Sequence, residues 1–249
     1  MTIATATVKA DSKCQDCPIR HRAVRARCET DELAQLEAIK YYRTDEAGQP
    51  ITWAGDAMTF VASVVRGVAK LSQTLEDGRT QMQGLLLPSD FIGRPGRSVT
   101  SFNVTAVCDV TLCWFRRKQF ESLMTRLPPV SERRLDMMLD ALDAARELRL
   151  IPGRKTACER IASLLTIIAR REATAGRFGI KGPIAIDLPL TRAALADCLG
   201  LMLETVSHQM SALQNDGNIV LHGKRRVQMP DFRRLMMETG DDADGGVVS

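Results

Sequence analysis

Histidine is nearly missing from this chain, with three in 249 residues, scattered at His21, His208 and His222. That leaves no material for a His-built metal site and assembles no evident acid–base group. No Gly-rich phosphate loop, G-x-S-x-G elbow or H-E-x-x-H pair occurs either, so catalysis is not expected. No apolar stretch reaches the ~18 residues of a membrane span. The opening MTIATATVKADSK lacks the apolar region of a signal peptide, so a cytoplasmic protein without membrane contact is expected. A strong charge excess is missing too. At +4, bulk charge does not mark a nucleic-acid binder, and placement of the charge has to decide.

What is present is an ordinary globular balance, 45% apolar and 26% charged, together with seven cysteines. In a reducing compartment an odd number of thiols argues against a disulfide framework and for metal binding or plain burial. Three of them crowd into KCQDCPIRHRAVRARCE, residues 13–29. Cys14 and Cys17 form a C-x-x-C pair whose spacing lets two thiolates chelate one metal centre. Cys28 follows in the same segment and Cys113 lies far off in VTLCWF. Arg20, Arg22, Arg25 and Arg27 either lower the thiol pKa values and offset negative charge or belong to a solvated loop. Cys108, Cys158 and Cys198 fall at periodic apolar positions and read as buried small hydrophobes. His21 and His222 read as surface residues.

The chain falls into successive sections. DELAQLEAIKYY reads as a short amphipathic helix on Leu33, Leu36 and Ile39. From about residue 43 to 120, short Val-, Thr- and Phe-rich runs are punctuated by AGQP, EDGR and GRPGR. LSQTLEDGRTQMQG reads as a hairpin turning at Asp77-Gly78, and the whole as an antiparallel barrel or roll. KQFESLMTRLPPVSERRLDMMLDALDAARELRLI then turns helical. Leu135, Met138, Leu142 and Ala145 are spaced 3, 4, 3, and Leu139 and Leu148 widen the stripe. Such a helix either faces a core or pairs with its twin in a homodimer. From Arg154 the pattern is helix, helix, helix and hairpin, followed by the acidic, Gly-rich GDDADGGVVS, expected to be disordered.

Thr191 suits the cap of a helix running to about Leu199, and Gly200 permits a tight turn. A second helix, from about Leu203 to Gln214, buries Val206, Met210 and Leu213. Glu204, Ser207, His208 and Ser211 are left on another face, as polar groups suited to base edges in a major groove. A hairpin carrying Lys224, Arg225 and Arg226 follows, suited to phosphates.

DLPLTRAALADCLGLMLETVSHQMSAL, with GRKTACERIASLL before it, resembles the winged helix–turn–helix of the Crp/Fnr transcription regulators. CQDCPIRHRAV, IKYYR, LEDGRTQM, LLLPSDFIGRPGR and FRRKQFE extend the likeness from about residue 14 to 239, to the FnrL-like branch of Fnr-type oxygen regulators. The resemblance implies an α+β chain. An N-terminal cysteine segment (1–30) would precede a β-roll sensor like the cyclic-nucleotide-binding jelly roll (31–124). A dimerisation helix (125–152), a winged helix–turn–helix (153–239) and the disordered tail (240–249) would follow. It further implies a homodimer on a palindromic operator of double-stranded DNA, contact with RNA polymerase, and a [4Fe–4S] cluster that makes DNA binding oxygen-responsive.

Three residues depart from that family. A Glu, a Ser and an Arg read its TTGAT-type half-site; Glu204 and Ser207 match, but the third position is His208. A single imidazole cannot reproduce the bidentate guanine contact of Arg. Met202 stands where the family has a hydroxyl cap. In the cysteine segment the family pattern AVCARC is AVRARC here, so Arg25 takes the place of a ligand. Cys14, Cys17, Cys28 and Cys113 are then the expected cluster ligands, with zinc on the same thiols, or loss of the cluster, as alternatives. Among other signals, a haem or nitric oxide sensor shares the fold. A cyclic nucleotide sensor would need an acid where FIGRPGR places Arg94 and Pro95.

Overall fold

Acidic residues at the start of DELAQLEAI compensate the dipole of helix α1 (Thr30–Ile39), and Glu29 and Glu32 close a reciprocal capping box there. The computed structural model describes residues 13–175, 183–223 and 225–241 and divides into two compact units, up to residue 144 and from 145 onward. The helix expected to run through Tyr42 stops at Ile39. Lys40 is already extended and pairs with Phe115, because KYYRTD gains a complete antiparallel ladder as strand β1 (Lys40–Asp45). Cross-strand pairing outweighs the helical pattern over those residues.

The strands that follow are β2 (Pro50–Thr52), β3 (Phe60–Arg66), β4 (Ala69–Thr74), β5 (Thr80–Leu86), β6 (Phe91–Ile92), β7 (Asn103–Ala106) and β8 (Val110–Arg116). They form two antiparallel four-stranded sheets, β1-β8-β3-β6 and β2-β7-β4-β5. This is the expected roll, and Asp77-Gly78 turns the β4–β5 hairpin, with the Arg79 amide donating to Asp77 Oδ1 at 3.0 Å. Gly67, at φ 81°, links β3 to β4. A Cβ there would lie 2.2 Å from the carbonyl oxygen of Asp109, so the backbones approach as only glycine allows.

Successive strand residues face opposite ways, and the first sheet is buried on both sides. Ala62, Val64, Val110 and Leu112 join Ile51, Ala69, Leu86, Val104 and Ala106 between the sheets. Val61, Val65, Cys113 and Phe115 face outward into a second core, shared with the cysteine segment, α1 and α2 (Arg117–Arg126).

Helix α3 (Pro128–Arg154) starts on two prolines, where a missing N–H costs nothing. It contributes Val130 and Met137 to that second core. Its expected stripe is not packed. Leu135 is 57% exposed, Met138 46%, Leu139 53% and Leu142 47%, and Ala145 is also exposed. Within the protomer α3 is therefore not a helix buried on its Leu135–Leu142 side.

In the second unit, α4 (Ala157–Ala175) buries Ile161, Leu164, Leu165 and Ile168. Helices α5 (Arg192–Leu199) and α6 (Leu203–Asn215) follow, then strands β10 (Val220–His222) and β11 (Arg226–Met229). Strand β9 (Ile184–Asp187) and helix α7 (Phe232–Met237) were not expected. Four residues carry too little alternation to read as a strand, and β9 takes its order from β11 in the sheet β10-β11-β9. Most of the acidic tail, residues 242–249, lies outside the described residues.

Candidate functional site

The helix–turn–helix is held by local chemistry. Thr191 Oγ1 accepts the Ala194 amide at 3.1 Å, and Gly200 takes the left-handed conformation (φ 62°, ψ 42°) that ends α5. The Arg160 guanidinium donates to the carbonyls of Leu199 at 3.0 Å and Lys155 at 2.8 Å, bracing the turn from α4. Helix α6 is buried through Val206, Met210 and Leu213. Met202 precedes it without a side-chain cap, as expected.

Glu204, Ser207, His208 and Ser211 are all exposed along α6. Ser207 Oγ donates to the Leu203 carbonyl at 3.1 Å and Ser211 Oγ to that of Ser207 at 3.0 Å. With their protons turned into the helix, both hydroxyls offer lone pairs outward. That suits acceptance from adenine N6 or cytosine N4, as does the Glu204 carboxylate. Arg225 and Arg226 are exposed at the β10–β11 hairpin; Lys224 lies outside the described residues. Two further residues fix this wing, Gln214 by joining it to α6 and Gln228 by a contact between its own strands. Gln214 Oε1 accepts the Leu221 amide at 3.1 Å, and Gln228 Oε1 lies 2.9 Å from His222 Nε2.

The second candidate site is in the first unit. Cys14, Cys17, Cys28 and Cys113 all lie in the outer core of the roll, with Ile19, Val24, Leu33 and Leu36. Cys113 sits on β8 between Tyr42 of β1 and Ser63 of β3, its register partners on the same face. The cysteine segment covers that face. A 3-10 turn at Cys14–Asp16 anchors it, with the Cys14 amide donating to Glu37 Oε2 of α1 at 3.0 Å. Burial pushes the Cys113 thiol up to about 11, and burial with Glu32 does the same to Cys28.

For Arg25 the solvated-loop alternative fails. The residue is 3% exposed and points into the thiols, while Arg27 stays outside in ion pairs with Glu132 and Asp136. Arg25 Nη1 donates to Cys14 Sγ at 3.1 Å and Nη2 to Cys17 Sγ at 3.0 Å. Burial opposes its charge, but the thiols of Cys113, Cys17 and Cys14 facing it outweigh that and raise its pKa. Tyr42, the other group missed in the sequence, is held protonated by burial and by Cys17 and Cys113.

The donor set suits a [4Fe–4S] cluster in number and kind: four buried thiols in one core. The space does not. The Arg25 guanidinium stands at the sulfurs of Cys14 and Cys17, and among the described residues no three Cys, His, Asp or Glu side chains converge on one metal position. As arranged, these residues do not fit the cluster. The other thiols correct an expectation: Cys108, Cys158 and Cys198 are partly rather than fully buried. Cys108 Sγ accepts the Val68 amide at 3.3 Å, and burial with Asp197 pushes Cys198 up to about 11.

Residues 159–237 match the Crp-like helix-turn-helix domain and residues 43–126 the cyclic nucleotide-binding domain. Over 94% of the chain it is 61% identical to the transcriptional activator protein FnrL of Cereibacter sphaeroides, covering 95% of that protein. The probable transcriptional activator of Rhizobium leguminosarum is 37% identical, over 89% of this chain and 91% of its own length. Among solved structures, FixK2 from Bradyrhizobium japonicum superposes with a TM-score of 0.70 at 27% identity, covering 82% of this chain and 98% of that one. With the roll, the long helix and the winged helix–turn–helix in this order, the chain belongs to the Crp/Fnr family of transcription regulators, among its Fnr-type activators.

Proposed function

We propose that the chain is a homodimeric, cytoplasmic, oxygen-responsive activator of transcription that binds palindromic operators and works with RNA polymerase. The observation that carries the DNA-binding part is the exposed row Glu204, Ser207, His208 and Ser211 on a helix whose other side is buried, beside Arg225 and Arg226. Base edges take the first group and phosphates the second. The exposed Leu135–Leu142 stripe supports pairing of two α3 helices, which would set two recognition helices about one helical turn of DNA apart. In this reading the chain has no catalytic role.

The thiol core is where the signal enters. Cys14, Cys17, Cys28 and Cys113 are the residues a [4Fe–4S] cluster would require, and Arg25 must first leave them. The burial of Arg25 favours a second reading, a regulator of the same type that has dispensed with the cluster. Iron and acid-labile sulfide counts on anaerobically purified protein separate the two.

Fluorescence anisotropy on a duplex with two inverted half-sites tests the DNA-binding reading. Affinity should fall with salt, and Arg225→Ala or Arg226→Ala should lower the log–log slope by about 1. Equal affinity for any duplex, with an unchanged slope in both variants, would remove α6 and the wing from DNA recognition.

A further inference from the structure

Arg25 is unusual among the cations of this chain because it is buried and both terminal nitrogens of its fork are committed to sulfur. We infer that its guanidinium is an intramolecular competitor for thiophilic metal at Cys14 and Cys17: the sensor unit closes its thiol core on an arginine, and metal enters only when that side chain is displaced. The inference rests on the thiol core and not on DNA binding, so its failure leaves the DNA-binding reading standing.

The geometry is that of a chelate with the roles changed. A zinc-like ion binds two sulfurs from about 2.3 Å each. Here one rigid, planar fork meets the same two sulfurs at 3.1 and 3.0 Å. A guanidinium nitrogen and an ion cannot both face one buried sulfur along that direction. Arg25 also lies only 8 and 11 residues from its two partners, inside one short segment. Its effective concentration is therefore high, and no diffusing ion shares that advantage. The fork also supplies what a structural metal gives a small segment, a bridge between backbone positions that closes the loop. The bridge holds residues 14–28 against β8, where Cys113 shares the core and acts electrostatically on the guanidinium.

Cobalt(II) is the probe, because thiolate ligation gives it a charge-transfer absorption that counts sulfur ligands. The reduced full-length protein is titrated without oxygen beside Arg25→Ala and the more nearly volume-conserving Arg25→Met, with circular dichroism to confirm folding. Wild type should develop little thiolate–cobalt absorption at equimolar metal. Either folded variant should bind roughly 10- to 100-fold more tightly, the factor for losing a charge-assisted hydrogen-bonded competitor. Arg25→Cys should bind tightly as well and add a further thiolate ligand to the spectrum. Wild type binding cobalt through thiolates as tightly as a folded variant overturns the inference, and so does a folded variant that gains nothing. Should neither variant fold, wild type alone decides. Colourless when native but coloured in urea, it supports exclusion of metal by the folded core; coloured when native, it refutes it.

Discussion

Replacing Leu142 on α3 separates a dimer seam from a face with no partner. Leu135, Met138, Leu139 and Leu142 are each roughly half exposed in the protomer. Full burial of such a side chain is worth about 1.5–3 kcal/mol, so each has about 1 kcal/mol left to gain. Four residues on each of two copies give about 8 kcal/mol, which lies inside the 4–15 kcal/mol estimated for the cost of association. A dimer resting on this seam is therefore concentration-dependent, and one position decides it. Leu142→Ala removes about 2 kcal/mol per dimer and should raise the dissociation constant about 30-fold. Leu142→Glu adds two like charges across the seam and should leave a monomer. Because the side chain packs in no core of its own protomer, circular dichroism should show both variants folded. Sedimentation equilibrium over a concentration series measures the shift. An unchanged dissociation constant in both variants would refute the seam, and an insoluble Leu142→Glu would mean that the face packs within its own chain.

His208→Arg should tighten binding to a TTGAT-type half-site by about 1–3 kcal/mol with little change on random duplex, in anisotropy titrations at fixed salt. No gain on either duplex would mean that this position does not meet a base. Thr191→Ala should cost about 1 kcal/mol by loss of the bond to the Ala194 amide, and Met202→Thr should gain about as much by capping α6, both read from urea midpoints. The folded-state pKa of Cys198 is raised from 9.0 to about 11, so its share of stability is complete below pH 9 and is lost as pH rises toward 11. Cys28 and Cys113 act in the same direction. Melting temperatures should therefore fall over that window, less steeply in Cys198→Ala; an equal fall in the variant would clear Cys198.

Much of what is encoded within a few residues was legible in the sequence, though not α7, whose cap Asp231 accepts the Arg233 and Arg234 amides. The Asp77-Gly78 turn, the Thr191 cap, the left-handed Gly200 and the 4, 3 spacing of Val206, Met210 and Leu213 each carry their own local physics. Whatever depends on a distant partner was not. Tyr41 and Tyr42 continue a helical pattern, yet their ladder is with Trp114 and Cys113 of β8. In RHRAVRAR, Arg25 reads either as a charge acting on the thiols or as part of a solvated loop, and the segment does not decide between them. Its burial follows from two sulfurs that accept its protons and a β8 thiol that faces it, and no periodicity signals that. The four cysteines lie together in one core, but their spacing does not show what stands between them.

The thiol core joins the beginning of the chain to β8, and a ribosome makes those pieces at different times. Cys28 is complete about 85 residues before Cys113. At 5–20 residues per second, that delay is roughly 4–17 s. Throughout it the first three thiols have no sheet to bury them, and the choice between arginine and metal is made on an open segment. Once β8 arrives the core closes, and a later exchange requires local unfolding. If arginine and metal compete as inferred above, the composition of the finished site is set during synthesis. Two populations of this protein with one sequence, made in metal-poor and metal-rich cells, would keep that difference for as long as the core stays shut.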